Sequence, residues 1–394
     1  MESIEDRLLM LVKKGVVILD PRQTYVSPEV DIDRIYSGAI LYPGTRLTGT
    51  RTLIGSAAKI GSEGPASLHD SVIGSNSEVA SGFLSEATLL SGARAGTNCH
   101  FRSGTLLEEN AFTGHAVGLK QSILMYGVVA GSLINFCDAL ISGGRSRSEH
   151  SEIGSGFIHF NFTPWGKKGD KATPSLIGNV VEGVFLDKDR IFLGGLSGMV
   201  GPQTVGFGAI TVAGQVIREA VPDSMMHSET GIRLDRELFP AKTKFSKRRL
   251  DSVREKNIEF IAQLLALKNW YSQVRLKRSQ LQKDAELSLT LIGAIETIRS
   301  CIAERIYRYN RFAAEWSIPQ ISDSDVASGD IDLGDAALGE VEFGAFELGD
   351  YDLDWKPELP YDEWVWKLSE NEKQSLHLWL SDCAKSVTDA LKNC

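Results

Sequence analysis

Short apolar residues recur every six positions along the first half of the chain. Ile35, Leu41 and Leu47 keep that spacing, as do Ile54 and Ile60, then Ile73 and Val79. Glycine follows the apolar residue in Ile54-Gly55, Ile60-Gly61, Ile73-Gly74, Ile153-Gly154, Ile177-Gly178 and Val205-Gly206. A period of six is neither the 3.6 of a helix nor the alternation of a simple strand. It is the pattern of a hexapeptide β-helix, in which each repeat is a short strand and a corner. The apolar residue points into the prism, and a small residue lets the backbone turn. A β-sandwich would instead show period-2 runs separated by regular turns. The pattern predicts a mainly β protein, a left-handed parallel β-helix, followed by a helical hairpin and an acidic C-terminal region.

Ahead of the repeats, Leu8, Leu9, Leu11 and Val12 predict a short amphipathic helix over residues 2–13 that Gly15 stops. Beyond them, Leu250, Val253, Ile258, Ile261, Leu264, Leu265 and Trp270 fall at helical spacings. After a polar turn near Gln282–Glu286, Ile292, Ile295, Ile298, Ile302 and Ile306 repeat at steps of three and four. Two antiparallel helices follow over 245–316. The polar stretch Asp223–Asp235 separates them from the repeats, so the hairpin is expected to be dispensable for folding of the β-helix. The expected division is 1–14 helix, 15–222 β-helix, 240–317 hairpin, 318–360 acidic segment and 361–394 final helix. In the acidic segment Gly329, Gly334, Gly339, Gly344 and Gly349 fall every five residues, in phase with Leu333, Leu338, Phe343, Leu348 and Leu353. A pentapeptide-like turn and an acidic linker both fit it. Trp364, Trp366, Leu376, Trp379 and Leu380 make the last segment an amphipathic helix seeking an apolar surface.

Composition narrows the function classes. Hydrophobic residues make up 42% of 394, enough for a sizeable core, and the formal net charge is −9. Nucleic acid is therefore not an expected partner of the whole chain. A basic cluster, Lys242, Lys244, Lys247, Arg248 and Arg249, opens the hairpin and reads first as a solvated face. The five cysteines (Cys99, Cys137, Cys301, Cys383, Cys394) are scattered, with no CxxC pair, so no metal site or disulfide framework is expected. No signal-peptide pattern or apolar run of membrane-spanning length is present, which fits a reduced, cytoplasmic location.

Three stretches carry chemistry in an ordered set. The first is Gly15-Val-Val-Ile-Leu-Asp-Pro21 with Thr24-Tyr25-Val26. The second is Arg102-Ser-Gly-Thr-Leu-Leu-Glu-Glu109. The third is Asn161-Phe162, Ser175-Leu-Ile-Gly178, Val200-Gly-Pro202 and Ala213-Gly214. Together they resemble the acetyltransferase half of the bacterial bifunctional UDP-N-acetylglucosamine pyrophosphorylase/glucosamine-1-phosphate N-acetyltransferases, over residues 15–218. Only 14 residues precede Gly15, and no glycine-rich nucleotide loop stands there, so no nucleotidyltransferase activity is expected.

The resemblance implies roles. Arg102 and Lys120 match phosphate-binding cations, and a guanidinium fork suits a phosphate. Asn161 matches an Asn near the amine and the thioester. Ala213 matches a main-chain contact to coenzyme A. Acetyl-CoA or another acyl-CoA is the implied co-substrate, a sugar phosphate or nucleotide sugar the acceptor, and a homotrimer the assembly. The sequence departs from the family at several positions. Ser132 stands where the catalytic His is expected, and a hydroxyl cannot deprotonate an ammonium near neutral pH. Asn135 replaces a sugar-binding Tyr, Phe162 another Tyr, and Gly195 a Ser that contacts coenzyme A. A further Lys of the family has no exact match, although Lys171 lies one position away.

Two extensions, Asp138–Glu152 and Glu182–Arg190, are expected to leave the prism near the place where donor and acceptor meet. The first carries Arg145, Arg147 and His150. His150 and His159 are the candidate replacement bases, His159 because it stands two residues before Asn161 and could share its strand face. The alternative to an acyltransferase is a non-catalytic sugar-phosphate-binding or assembly protein that engages a protein partner through its C-terminal region.

Overall fold

The computed structural model describes residues 3–163, 169–228, 246–321, 331–333, 341–343, 348 and 353–392. The six-residue period folds into a parallel β-solenoid of about 11 turns, consistent with a left-handed β-helix. Each coil lays one short strand on each of three faces. The first face is an 11-stranded sheet from Val17–Ile18 to Met226–His227. The second runs from Tyr25–Val26 to Val216–Ile217, and the third from Leu53–Ile54 to Thr204–Val205. Strands Gly118–Leu124 and Asn135–Ile141 continue through the corner between the second and third faces.

Parallel pairing stacks like on like. On the second face Leu47, Leu68, Leu84, Phe101, Leu119 and Phe136 are partners in register, all buried in the prism. Their neighbours in the strand point out, as alternation requires. On the third face the outward ladder is Val72, Thr88, Leu106, Ile123, Leu140 and Leu176. It is mostly apolar, so this face needs a cover.

The helices supply it. The chain is helical from Lys247 to Gln282: α3 (Lys247–Asn269), a π-helical turn Trp270–Arg275 and α4 (Leu276–Gln282). Lys283, left-handed at φ 56°, ends that run, and Asp284 caps α5 (Ala285–Trp316) by accepting from Leu287 N–H. Helix α5 crosses the third face, where Thr88 Oγ1 and Thr297 Oγ1 are 2.8 Å apart. At Gly293 a Cβ would come within 2.7 Å of the Val72 side chain, so only glycine permits the approach. Leu106, Ile123, Leu140 and Leu176 share one core with Leu264, Trp270, Ile295 and Ile302. The hairpin is therefore a roof on the β-helix, which corrects the expectation that the two are independent. Ile292, placed in the apolar stripe by spacing, is 40% exposed. After α2 (Val180–Gly183) in the β-helix and the hairpin come α6 (Tyr361–Trp366) and α7 (Glu370–Lys392), α7 packing on α3. Trp364, Leu376, Trp379 and Leu380 are buried there, whereas Trp366 faces out.

The roof is also tied down by polar groups. Tyr271 Oη donates to Glu108 Oε1 at 2.7 Å, Tyr126 N–H donates to Glu108 Oε2 at 2.9 Å, and Arg275 holds Glu109. Burial pushes the Glu108 carboxyl up to about 7, partly offset by Arg275.

At the other end, α1 (Ile4–Lys13) starts with a capping box between Ser3 and Asp6. It packs Leu8 and Leu11 on the first coil, and Arg7 reaches the Val30 carbonyl. In the acidic segment, backbone strands Ile331–Leu333 and Val341–Phe343 pair antiparallel. All five pentad glycines, and Lys242 and Lys244 of the basic cluster, lie outside the described residues. Among the described residues no helix is long and apolar enough to cross a membrane.

Candidate functional site

The matched cations meet at the edge of the second face. Phe101 pairs with Leu119, which puts Arg102 and Lys120 on neighbouring coils, and Lys120 pairs in turn with Cys137. Adjacent parallel strands lie about 4.8 Å apart, so two like charges stacked this way call for an anion. Helix α5 provides one. Glu304 Oε1 is 3.7 Å from Lys120 Nζ and 2.7 Å from Arg308. Arg102 reaches Cys137 Sγ at 3.8 Å. Burial raises the Cys137 thiol, Asp138 adds to the rise, and Arg102 and Lys120 oppose it.

Around the corner, Asp138 is buried in a left-handed conformation at φ 57°. Its carboxylate takes the fully buried Arg305 of α5 and accepts from Asn161 Nδ2 at 2.8 Å. Arg305 also donates to the Lys171 carbonyl at 3.2 Å. Lys171 itself lines a cleft of about 550 Å³ with Arg308, Arg311 and Phe312. The edge thus brings together Arg102, Lys120, Asn161 and Lys171. Sequence reasoning missed the helix's share, Glu304, Arg305 and Arg308. The signal was there: two charged residues interrupt the apolar stripe between Ile302 and Ile306.

The opposite edge of the same face, the corner leading from the first face into the second, holds the remaining matched positions. Backbone bonds stack its residues coil on coil: Leu133 N–H to the His115 carbonyl, Gly156 N–H to Ser132, Leu196 N–H to Ser155 and Gly214 N–H to Gly195. Above Gly194 stands the Val212–Ala213 backbone. His115, Ser132, Ser155, Gly195 and Ala213 therefore form one column. Asn135, exposed, opens the second-face strand just after Ser132. At the foot of the column Ser132 Oγ lies 2.8 Å from His115 Nδ1. Sequence reasoning missed His115, although Gly114-His115 and Gly131-Ser132 sit one 17-residue coil apart.

The two histidines singled out from sequence are elsewhere. His159 occupies the inward ladder between Phe136 and Met199, 2% exposed. Its Nδ1–H donates to the Cys137 carbonyl, and the Ser175 hydroxyl, which itself accepts from Gln203 N–H, donates to Nε2. Burial pulls its pKa down to about 4. A neutral ring with both nitrogens engaged inside the prism is a wall residue, not a base facing solvent. It does not share a face with Asn161, because the strand ends at Phe160.

His150 lies in the hairpin Gly144–Ser146/Glu149–His150, at the corner between the third and first faces. Its Nδ1 is 2.7 Å from the Arg147 carbonyl and its Nε2 4.0 Å from Glu152. The two extensions leave that corner together, joined by Arg145 to Asp189 at 2.7 Å. They border a cleft of about 590 Å³ over the first face. The hairpin and this cleft lie at a different corner from Ser132 and from the edge that carries Arg102 and Lys120.

No protein-family model matches the chain. Over 216 residues it is 31% identical to the bifunctional protein GlmU of Exiguobacterium sp., which covers 55% of this chain and 42% of that protein. It is 30% identical over 219 residues to GlmU of Mycobacterium sp. strain KMS, covering 56% and 39%. The corresponding figures for GlmU of Thermotoga maritima are 28% over 222 residues, 56% and 43%. The chain spans less than half the length of these curated relatives. The matched part is the C-terminal half of GlmU, so the β-helix described above resembles the acetyltransferase half of that protein.

Proposed function

We propose that the protein is a coenzyme-A-dependent acyltransferase acting on a sugar phosphate or nucleotide sugar, with acetyl-CoA or another acyl-CoA as co-substrate. The observation that carries this reading is the layout of the second face. One edge stacks Arg102 and Lys120 with Asn161 and Lys171 nearby, and the other carries the column through Ser132, Gly195 and Ala213. In this reading the cations hold the acceptor's phosphate and Asn161 orients the amine or hydroxyl. The acyl donor lies along the Gly195–Ala213 corner, where missing side chains leave room. The acceptor attacks the thioester carbonyl directly, and backbone N–H groups of the coils stabilise the oxyanion. A homotrimer suits it, because among the described residues the helices roof the third face and leave the first and second to a neighbour. A cytoplasmic location suits its substrates.

A binding or assembly role is the second reading. Specific contacts favour it: Lys120 is already paired with Glu304, and Asn161 with Asp138. Thiol release from acetyl-CoA, followed with a panel of amino-sugar and hydroxyl-sugar phosphates beginning with glucosamine-1-phosphate, separates the two. Turnover supports the enzyme; binding of those phosphates by calorimetry with no thiol release supports the second reading.

A further inference from the structure

We propose that His115 is the proton acceptor of acyl transfer and that Ser132 positions it: the imidazole expected at position 132 has moved down one coil. This rests on the acyltransferase reading above. Side chains at 115 and 132 converge on one point of the corner, Nδ1 to Oγ 2.8 Å. An imidazole rooted at 115 therefore occupies the surface that one rooted at 132 would reach. The corner is held firmly. Leu133 N–H donates to the His115 carbonyl at 3.0 Å, Ser132 N–H donates to Ser155 Oγ at 3.1 Å, and Ala116 and Leu133 are left-handed at φ 55° and 60°.

The other histidines are committed or remote. His159 is buried with both nitrogens engaged. His150 stands at a different corner. His69 bonds Thr48 and faces Asp70 at 3.3 Å, while His100 packs against Phe83 and His377 against Phe185. His227 lies on the last first-face strand. His115 is exposed, and its Nε2 has no partner among the described residues.

The chemistry closes without another reagent. Ser132 Oγ can accept from Nδ1–H, and in the tautomer with that arrangement the Nε2 lone pair faces out, free to take a proton. The acceptor's nitrogen or oxygen attacks the thioester carbon, forming the new C–N or C–O bond, and its proton passes to Nε2. The tetrahedral intermediate then expels the thiolate by breaking C–S, and the imidazolium returns the proton to sulfur. Ser155, Gly195 and Ala213 rise in the same column directly above the pair, so a thioester lying along it ends over His115.

The test uses the full-length protein, acetyl-CoA and the sugar-phosphate panel, comparing wild type, His115→Gln, Ser132→Ala and the exchanged double variant His115→Ser/Ser132→His. His115→Gln should lower kcat by about 10²–10⁴-fold with KM little changed. Ser132→Ala should lower it less and move the acid limb of the pH–rate profile. The exchanged variant should recover part of the lost rate. Nitrogen-15 spectra, with the resonance assigned by His115→Gln, should show His115 protonated on Nδ1. A wild type that turns over beside an equally active His115→Gln overturns this proposal and leaves the acyltransferase reading standing. A wild type that releases no thiol with any acceptor overturns both.

Discussion

Glu304 of α5 stands 3.7 Å from Lys120, so one of the two stacked cations of the second face already has an anion from the chain itself. A phosphate arriving there competes with that carboxylate. Both side chains are partly exposed, at 30% and 23%, so solvent screens the pair and its worth is at most about 1 kcal/mol. Glu304→Gln should tighten binding of a sugar-1-phosphate by up to about fivefold. Calorimetry reads this directly; weaker binding would mean that Glu304 orders the site instead of occupying it.

Among the described residues no carboxylate pairs with Arg102, whose guanidinium reaches the Cys137 thiol. Arg102→Ala should remove a charge-assisted contact worth about 1.5–3 kcal/mol, a tenfold or greater loss of phosphate affinity in the same titration. Unchanged affinity would detach the site from this edge.

The Arg305–Asp138 pair is buried, with side chains 2% and 9% exposed. Removing one partner leaves an uncompensated charge and costs about 3–5 kcal/mol. Arg305→Met should lower stability to denaturant by that order, and Arg305→Met/Asp138→Asn should regain much of it. Equal losses in the single and double variants would show that the guanidinium acts through the Lys171 carbonyl alone.

His159 gives stability a pH dependence of known sign. Its folded value, about 4, lies below the ordinary 6.5, so between those limits the native state binds fewer protons than the unfolded chain. Its contribution is complete above pH 6.5 and is lost as pH falls through about 4. Between pH 7 and pH 4.5, His159→Gln should therefore lose about 2–3 kcal/mol less than wild type in denaturant melts. Parallel losses would place the acid sensitivity elsewhere.

Truncation after residue 240 should not yield a well-behaved β-helix. It would uncover Leu106, Ile123, Leu140 and Leu176, each worth about 1.5–3 kcal/mol of burial. Aggregation or strong binding of a hydrophobic dye by that fragment is expected; a monodisperse, cooperatively melting fragment would contradict it.

The β-helix was legible because its period is local: the same residue types recur every six positions whatever lies around them. The roof was only half legible. The apolar stripe at 292–306 announced burial but not a partner. The partner was written as doubled apolar residues, Leu106-Leu107, Ile123-Leu124, Leu140-Ile141 and Leu176-Ile177, where one of each pair must face outward. Strand phase decided His159, since one position more or less would have put it on the surface. The Ser132–His115 contact depends on stacking between coils, and a scan for a histidine in the matched position passes over the coil beneath. Glu304 and Arg305 come from a segment that the resemblance does not cover.

The cap at the start of the prism matters beyond the first coil. Strands Val17–Ile18 and Tyr25–Val26 pair upward only, which leaves their lower edges as templates for a foreign strand. Helix α1 lies against both. It makes the stack a rod with a stoppered base, so a strand from outside finds those two edges covered.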